Sequence, residues 1–416
     1  MISADQVHSF CHELTERRTH LLLPRRTDEI VRVLGQVSQR WLNPNDPWRC
    51  RAIAGMPKVT GFAPQMVARI LDLLFSELTE EKLSGLVELE LGAIKDKETG
   101  PPLIAQIFSG NIPNPAIVSI VCGLLVKSAS FCKASTKDPL SSLLYLASLH
   151  DLDPDLASCV QIHTWKGSPG NASERPSVGT LERSLFQHAD FLVAYGNDDS
   201  LRNIKDSLPA GKPFFGFGHK IGFAVVGQDA LADAALHAAE DISLYDQQGC
   251  LSPHVVYVEN TPKPFAEKLA LAMEDFNRRI PRGTLSIEES AAIARVRNAY
   301  EFRAASDPQV AVWNSKGSDA WTVIYEEEPL FATGPLNRVV FVKPLGDLEL
   351  SVARVRPYLH NVGLGCSDAH WSNWEMRLRK LGVARVCPLG QMQKPPLVFA
   401  TGIRPRLREL IRPREA

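Results

Sequence analysis

Apolar residues recur at helical spacing through the first hundred residues of the chain. The residues that show this are Ile30, Val33, Leu34, Val37 and Trp41 in one segment and Met66, Val67, Ile70, Leu71 and Leu74 in the next. Positions three and four apart share one face of a helix, so both segments are predicted to be amphipathic helices. Thr27, followed by Asp28 and Glu29, is predicted to cap the first of them.

From about residue 104 the pattern changes to short apolar runs, each followed by a helical stretch. The runs are residues 104–109, 129–133, 160–165, 191–195 and 213–217. This alternation predicts an α/β fold with buried parallel strands and crossover helices. Ligands of such sheets bind beyond the carboxyl ends of the strands, so chemistry is expected just after each run. The segments concerned are residues 110–113, 133–136, 196–199 and 216–220.

A second region begins near Ile221 with another apolar run. An alanine-rich helix at residues 229–244, a polar loop and a strand at residues 254–259 follow, and later strands are predicted at 339–342 and 384–387. We therefore expect N-terminal helices and a cofactor domain in residues 1–222, a catalytic domain in residues 223–395, and an arginine-rich tail in residues 396–416. The active site is expected in the cleft between the two domains.

Composition narrows the classes of function. Lys and Arg total 46 against 47 Asp and Glu, which removes the electrostatic case for a dedicated nucleic-acid binder. With 44% hydrophobic residues but no apolar run long enough to cross a bilayer, we expect a folded cytoplasmic protein without a membrane span. Eight cysteines without a Cys-x-x-Cys pair favour reduced thiols. Cys366 and His370 lack a second ligand pair, so no metal site is predicted.

Cys250 is the most suggestive single residue. It stands in the polar sequence Gln-Gln-Gly-Cys-Leu-Ser-Pro at residues 247–253, between a predicted helix and a strand. A turn there can expose the sulfur and offer a backbone N–H to an oxyanion, although a lone cysteine is more often structural. His219 and His254 lie in neighbouring segments, and the sequence leaves open whether they act as acid–base groups or are structural.

The arrangement as a whole resembles the aldehyde dehydrogenase superfamily. An asparagine turn, a strand-end lysine, a glycine-containing strand-to-helix turn and a loop cysteine follow in that order, as Asn111, Lys133, Gly196 and Cys250. The superfamily strand that ends in Leu-Glu-Leu-Gly-Gly-Lys matches Phe-Gly-Phe-Gly-His-Lys at residues 215–220. Gly216 therefore takes the position of the catalytic glutamate. The resemblance implies an aldehyde dehydrogenase-like fold.

A closer resemblance, over residues 10–395, is to the long-chain acyl-CoA reductase component of the bacterial bioluminescence fatty-acid reductase. The matching motifs are Ser-Gly-Asn-Ile-Pro at 109–113, Leu-Val-Lys-Ser-Ala at 125–129, Lys-Ala-Ser at 133–135, Cys-Leu-Ser-Pro at 250–253 and Gly-Val-Ala-Arg-Val at 382–386. The resemblance implies NADPH-dependent reduction of a fatty acyl-CoA, or an acyl carrier-protein thioester, to an aldehyde through an acyl-cysteine on Cys250. It also implies an acyl-activating partner enzyme and a homo-oligomer.

The resemblance assigns roles to individual residues. Asn111 and the Cys250 backbone N–H are expected to hold the oxyanion. Lys133 is expected on the adenosine ribose, and Ser135 beside it. Thr136 stands where NAD-preferring members often have a glutamate, which leaves room for a 2′-phosphate and favours NADPH.

Three further positions are expected to bind the cofactor: Gly196, Asn197 and Gly218. Gly196 and Asn197 begin a helix whose N–H groups can face the pyrophosphate. Either Glu327 or Glu328 is expected on the nicotinamide ribose. Two alternative functions remain at this point, an aldehyde dehydrogenase that forms a free acid and a non-catalytic subunit of a fatty-acid reductase complex; the missing glutamate disfavours the first.

Overall fold

The computed structural model describes residues 2–110, 112–165, 178–230, 232–397 and 407–411, and the structural statements below concern these residues. The chain divides into two compact units. The first consists of Met1–Thr60, Ala68–His219 and Pro396–Ala416, and the second of Gly61–Val67 and Lys220–Pro395. The main division thus lies close to residue 222, while the C-terminal residues group with the first unit.

The following α-helices belong wholly or, in the case of α4, in part to the first unit. Those before the first strand are α1 (Ala4–Arg17), α2 (Thr27–Leu42), α3 (Pro47–Thr60), α4 (Pro64–Phe75) and α5 (Glu80–Glu90). Those that follow are α6 (Asn114–Leu125), α7 (Leu140–His150), α8 (Pro154–Ser158), α9 (Thr180–His188) and α10 (Asp198–Asp206), with the last helix of the chain numbered α16 (Leu407–Ile411). The predicted helical character of the first hundred residues is confirmed.

The described strands of the first unit form one parallel sheet in the order β3-β2-β1-β4-β5. Their bounds are β1 (Leu103–Ile107), β2 (Ala129–Lys133), β3 (Val160–His163), β4 (Phe191–Tyr195) and β5 (Phe214–Phe217). The five predicted strands are confirmed, two of them with the predicted bounds. Leu103, Phe131 and Leu192 lie in one buried cluster with residues of α1 and α9, so these two helices cover one face of the sheet.

One local prediction is wrong. Thr27 does not cap α2, because it is the first residue of that helix and Arg26 occupies the N-cap position. The backbone N–H and the hydroxyl of Thr27 donate instead to the Asp96 carboxylate, at 2.8 and 2.7 Å. A residue 69 positions away therefore satisfies the helix start, which spacing within the segment cannot reveal.

The second unit contains a larger sheet, whose described strands have the order β12-β11-β6-β7-β10-β9-β8. Their bounds are β6 (Ile221–Val226), β7 (Pro253–Val258), β8 (Val310–Asn314), β9 (Thr322–Glu326), β10 (Val339–Pro344), β11 (Leu359–Gly365) and β12 (Arg385–Pro388). The helices are α11 (Ala234–Ser243), α12 (Pro262–Arg279), α13 (Ile287–Ala304), α14 (Leu348–Val352) and α15 (Asp368–Lys380). Within the described ranges only β8, at the edge, pairs antiparallel.

Both faces of this sheet are buried. Along β6, Ala224 and Val226 face a cluster that contains residues of α11 and α12. Phe223 and Val225 lie in the opposite cluster, together with residues of α13 and α15. This alternation explains why β6 is apolar at every position rather than at every second one. Across the described ranges, no helix combines the length and the apolar character that a membrane crossing requires.

Candidate active site

Cys250 lies in a turn between the short 3₁₀ segment Leu244–Gln247 and the first residue of β7. The residue is exposed, and its thiol forms no disulfide. Because it precedes β7, Cys250 lies at the amino ends of the parallel strands of its own sheet. A thiol placed there can be approached by a substrate.

The backbone just before this turn is left-handed at three consecutive residues. Tyr245, Asp246 and Gln247 have φ angles of 56°, 50° and 63°. Residues other than glycine are uncommon in this φ/ψ region. Each one held there costs about 1–3 kcal/mol of conformational free energy, which the surrounding contacts must offset. All three are buried, so the conformation is held by packing and by the contacts of their side chains.

Asp246 is the centre of a buried ionic cluster. Its Oδ1 accepts from Arg338 Nε at 2.9 Å, and its Oδ2 accepts from Arg282 Nη1 at 2.7 Å. The side chains of Asp246 and Arg338 are both 0% exposed, and that of Arg282 is 5% exposed. Partners on both carboxylate oxygens make these buried charges tolerable, although Arg282 Nε has no hydrogen-bond partner among the described residues, so the three groups depend on one another.

Gln247 ties the same segment to two strands. Its Nε2 donates to the carbonyl oxygens of Pro253 and Val339, both at 2.9 Å. Its Oε1 accepts from the Val339 backbone N–H, also at 2.9 Å. One buried amide thus links the turn to the starts of β7 and β10, and Cys250 follows three residues later.

The residues after Cys250 pass close to the sheet. A Cβ placed on Gly222 would lie 3.0 Å from the carbonyl oxygen of Ser252 and 3.1 Å from that of Leu251. Gln393 Nε2 also donates to Ser252 Oγ, at 2.6 Å. A side chain at position 222 would therefore require the backbone of the loop to shift away from β6 by a few tenths of an ångström.

Opposing effects act on the pKa of the Cys250 thiol. Although the residue is exposed, desolvation around its sulfur dominates and raises that pKa, whereas its backbone N–H and the positive charge of Lys220 lower it. Burial, with the positive charges of Lys220 and Arg385, lowers the pKa of His360 to about 4. At neutral pH His360 is therefore uncharged, and Lys220 supplies the positive charge that favours a thiolate.

In the first unit, the predicted cofactor residues lie at the carboxyl ends of the strands. Ser135 lines a small pocket together with Ser109 and Gly110, from the turn after β1. Asp138 lies in the same wall and accepts from the Ser141 backbone N–H at 3.0 Å. Burial raises the pKa of this carboxyl. Asn111 lies outside the described residues.

Lys133, at the end of β2, already has an anionic neighbour. Its Nζ lies 3.6 Å from Glu182 Oε1 on α9, with side-chain exposures of 15% and 11%. The same ammonium lies 5.6 Å from the centre of the Trp165 ring. Glu182 was not identified from the sequence, because nothing in the spacing places α9 beside the end of β2.

The other three predicted residues meet at the ends of β4 and β5. The Gly196 N–H donates to the carbonyl oxygen of Phe217 at 3.2 Å, and Asn197 caps α10 by accepting from the Ser200 N–H at 2.8 Å. A Cβ on Gly218 would lie 2.4 Å from Asp198 Oδ1. The first turn of α10 carries two aspartates, so its charge opposes an anion even though the helix start is suitably placed.

The two glutamates considered for the nicotinamide ribose have different partners. Glu328 Oε1 accepts from the Leu330 N–H at 3.0 Å, and its carbonyl oxygen accepts from Lys343 Nζ at 2.7 Å. Glu327 accepts from the Tyr325 hydroxyl. In the part of the chain that the structure describes, no cluster of three or more histidine, cysteine or acidic side chains is arranged to hold a metal.

Solved structures show the fold. The chain is similar to an NAD-dependent benzaldehyde dehydrogenase from Corynebacterium glutamicum, with a TM-score of 0.69 and 13% identity over 96% of this chain and 88% of the other. It is also similar to an NADP-dependent glyceraldehyde-3-phosphate dehydrogenase from Bacillus halodurans C-125, with a TM-score of 0.65 and 14% identity over 92% and 82%. The predicted aldehyde dehydrogenase-like fold is confirmed.

Curated relatives share the sequence over most of its length. A long-chain acyl-protein thioester reductase of Photobacterium phosphoreum is 22% identical over 87% of this chain and 72% of its own. Its counterpart in Photorhabdus laumondii is 26% identical over 80% and 69%. The model of one family, described as acyl-CoA reductase (LuxC), matches residues 22–396. This chain belongs to the acyl-CoA reductase (LuxC) family.

Proposed function

We propose that the protein reduces a fatty acyl thioester to an aldehyde with NADPH, through an acyl group carried on Cys250. The observation that carries this proposal is Cys250, an exposed residue without a disulfide on a loop held by buried contacts, with Lys220 supplying positive charge. The names of the curated relatives support the class of substrate. The acyl donor is proposed to be acyl-CoA or an acyl carrier protein.

Cys250 performs the first step. Its thiolate adds to the thioester carbonyl, the bond from that carbon to the donor sulfur breaks, and the donor leaves as a thiol after taking a proton. The Cys250 backbone N–H and the Asn111 amide are proposed to stabilise the negative oxygen that forms. Loss of one such donor typically lowers the rate by about 10²- to 10³-fold.

The residues of the first unit are compatible with a dinucleotide. The pocket wall at Ser109, Gly110 and Ser135 is made of small residues at the carboxyl ends of β1 and β2, where such sheets receive ligands. We propose that Lys133 and Ser135 hold the adenosine ribose and its 2′-phosphate. We also propose that Gly196, Asn197 and Gly218 lie along the pyrophosphate, where backbone N–H groups would have to outweigh the negative charge of the two aspartates in the first turn of α10. Bound NADPH supplies the hydride that reduces the acyl-cysteine.

Gly216 favours reduction over hydrolysis. A glutamate at that position could activate water against the acyl-cysteine, and glycine removes this base. A Cβ at Gly216 would lie 2.9 Å from the Phe214 ring, so a larger side chain there would require that ring to move. The acyl-cysteine then persists until hydride reaches it, and release of the aldehyde restores the Cys250 thiolate.

The test mixes the protein with NADPH and a long-chain acyl-CoA. Oxidation of NADPH is monitored through the absorbance of the reduced nicotinamide, and the aldehyde that forms is assayed separately. Cys250→Ala should abolish both, and Cys50→Ala, which removes another exposed thiol, should leave them unchanged. Mass spectrometry of protein mixed with acyl-CoA alone should find the acyl group on Cys250. Full activity of Cys250→Ala overturns the mechanism. Release of free acid instead of aldehyde favours a hydrolytic dehydrogenase.

A further inference from the structure

A second left-handed turn lies beside the one that precedes Cys250. Leu336, Asn337 and Arg338 have φ angles of 62°, 57° and 61°. None is glycine, so this conformation is disfavoured for each of them in isolation. Two runs of three left-handed residues, 91 positions apart in the chain, therefore lie side by side.

Polar side chains join the two turns. Arg338 reaches Asp246 with Nε at 2.9 Å and Nη2 at 2.8 Å, so one guanidinium spans from one turn to the other. Gln248 Nε2 donates to Asn337 Oδ1 at 3.3 Å. Arg282 donates to both Asp246 and Asn337. Each turn is therefore held through the other.

The rest of the cluster fixes Arg338 itself. Its Nη1 donates to Asn277 Oδ1 at 3.0 Å, and its Nη2 donates to the carbonyl oxygen of Ile280 at 3.1 Å. The guanidinium is thus anchored at the end of α12 as well as on Asp246. Apolar side chains could fill the same space, but they would not fix the relative orientation of the two turns as the directional hydrogen bonds of the planar guanidinium do. The arrangement specifies one geometry for the loop.

We propose that Asp246 and Arg338 are positioning residues: their buried ion pair holds the two left-handed turns together and so fixes the Cys250 thiol and backbone N–H for attack on the acyl thioester. This inference rests on the proposed role of Cys250. Neither residue needs to contact the substrate. Asp246 acts through the backbone of residues 247–249, which leads to Cys250, and Arg338 acts through Asp246.

The test compares Asp246→Asn and Arg338→Lys with Arg297→Lys. Arg297 is a matched control in the same unit, since it also makes several bonds, to Thr322 Oγ1 and to the Ser318 and Trp321 carbonyls, but none to the cysteine loop. The measurements are kcat and KM for an acyl-CoA, and the pH dependence of iodoacetamide alkylation at Cys250. Thermal melting identifies the variants that fold.

For Asp246→Asn and Arg338→Lys we expect kcat to fall by about tenfold or more while KM changes by less than about twofold. The reason is that these variants lose the orientation of the Cys250 thiol rather than the binding of the substrate. The alkylation midpoint should rise as the thiol moves relative to Lys220. Arg297→Lys should change neither. Adding Leu336→Gly to Arg338→Lys should restore part of kcat, because glycine adopts the left-handed conformation without needing the ion pair to hold it.

Two results would overturn the positioning role. One is a folded Asp246→Asn or Arg338→Lys protein with wild-type kcat and an unmoved alkylation midpoint. The other is an effect of Arg297→Lys as large as theirs. A wild-type protein that reduces no acyl thioester would overturn the proposed function. Because alkylation of Cys250 does not require turnover, the alkylation comparison would still decide the role of the Asp246–Arg338 ion pair.

Discussion

The side chain of Asn361 donates from Nδ2 to the carbonyl oxygen of Leu251, the residue after Cys250, at 3.0 Å. Asn361 lies on β11, 110 positions further along the chain. Its Oδ1 in turn accepts from Arg385 Nη1 on β12 at 2.9 Å. The turn that carries the thiol is therefore held on one side by the ion pair of Asp246 and on the other by this amide.

Asn361→Leu should destabilise the protein and impair the loop. It removes the side-chain donor to the Leu251 carbonyl oxygen and one of the several hydrogen bonds of the Arg385 guanidinium. A buried carbonyl left unpaired costs about 1–3 kcal/mol. We expect the free energy of unfolding in urea to fall by about this amount and kcat to fall with it. Asn314→Leu, which loses only an exposed bond to Glu301, should change stability by less than about 0.5 kcal/mol. Equal losses in both variants would contradict this interpretation.

Gly222→Ala should displace the cysteine loop. The added Cβ meets the backbone carbonyl oxygens of Ser252, Leu251 and Asn361 at 3.0, 3.1 and 3.2 Å, and backbone atoms cannot turn away as a side chain can. Overpacking of this kind costs about 1–3 kcal/mol. Gly346→Ala is the control, since its Cβ meets only Pro329, at 3.8 Å or more. Thermal melting and the rate of Cys250 alkylation measure the difference, and an alkylation rate unchanged in Gly222→Ala would refute the prediction.

His360 should make stability depend on pH. Its pKa is lowered to about 4 in the folded protein, mainly by burial, against about 6.5 when unfolded. The unfolded chain therefore binds the extra proton first, and stability is lost as pH falls from about 6.5 towards 4. Between pH 7.5 and 5 this group should remove about 2 kcal/mol of unfolding free energy. Urea titrations at several pH values should show that loss of unfolding free energy in the wild type but not in His360→Gln. If the unfolding free energies of the two proteins change with pH in parallel, the prediction is wrong.

Glu182→Gln should change cofactor preference. The carboxylate 3.6 Å from Lys133 neutralises the charge that we propose binds the 2′-phosphate. Removing it should strengthen NADPH binding by about tenfold on the scale of one partly buried charge, with a smaller change for NADH, which lacks that phosphate. Dissociation constants for NADPH and NADH, measured by nicotinamide fluorescence, test this prediction. Lys133→Met should weaken NADPH binding. Equal gains for both cofactors would contradict the prediction.

The sequence predicts the sheet of the first unit well because its strands are continuous apolar runs that end in glycine, serine or lysine. In the second unit β8, β9 and β11 were not identified. The strand Val310–Asn314 is half-exposed at the sheet edge, and β11 has His360 and Asn361 at its second and third positions, where polar side chains interrupt the apolar pattern. The polar side chain of Asn361 contacts Leu251 and Arg385, and only the tertiary structure supplies these partners.

The candidate site divides in the same way. Cys250, Ser135 and Gly218 were accessible to sequence reasoning because turns and motifs mark them. Arg338 and Glu182 were not, because their partners lie 92 and 49 positions away in the chain. Ion pairs across such separations leave no periodic signal in one sequence, although the charged residues themselves are visible.

The separation between Asp246 and Arg338 also bears on the order in which the protein is built. Contacts between distant residues form only after the intervening chain has closed into a loop, and closing it costs entropy first. During synthesis the turn before Cys250 is made long before Arg338 leaves the ribosome. The ion pair that holds this turn is absent until then, so an incomplete chain carries the cysteine without the support that, on our proposal, makes it a nucleophile.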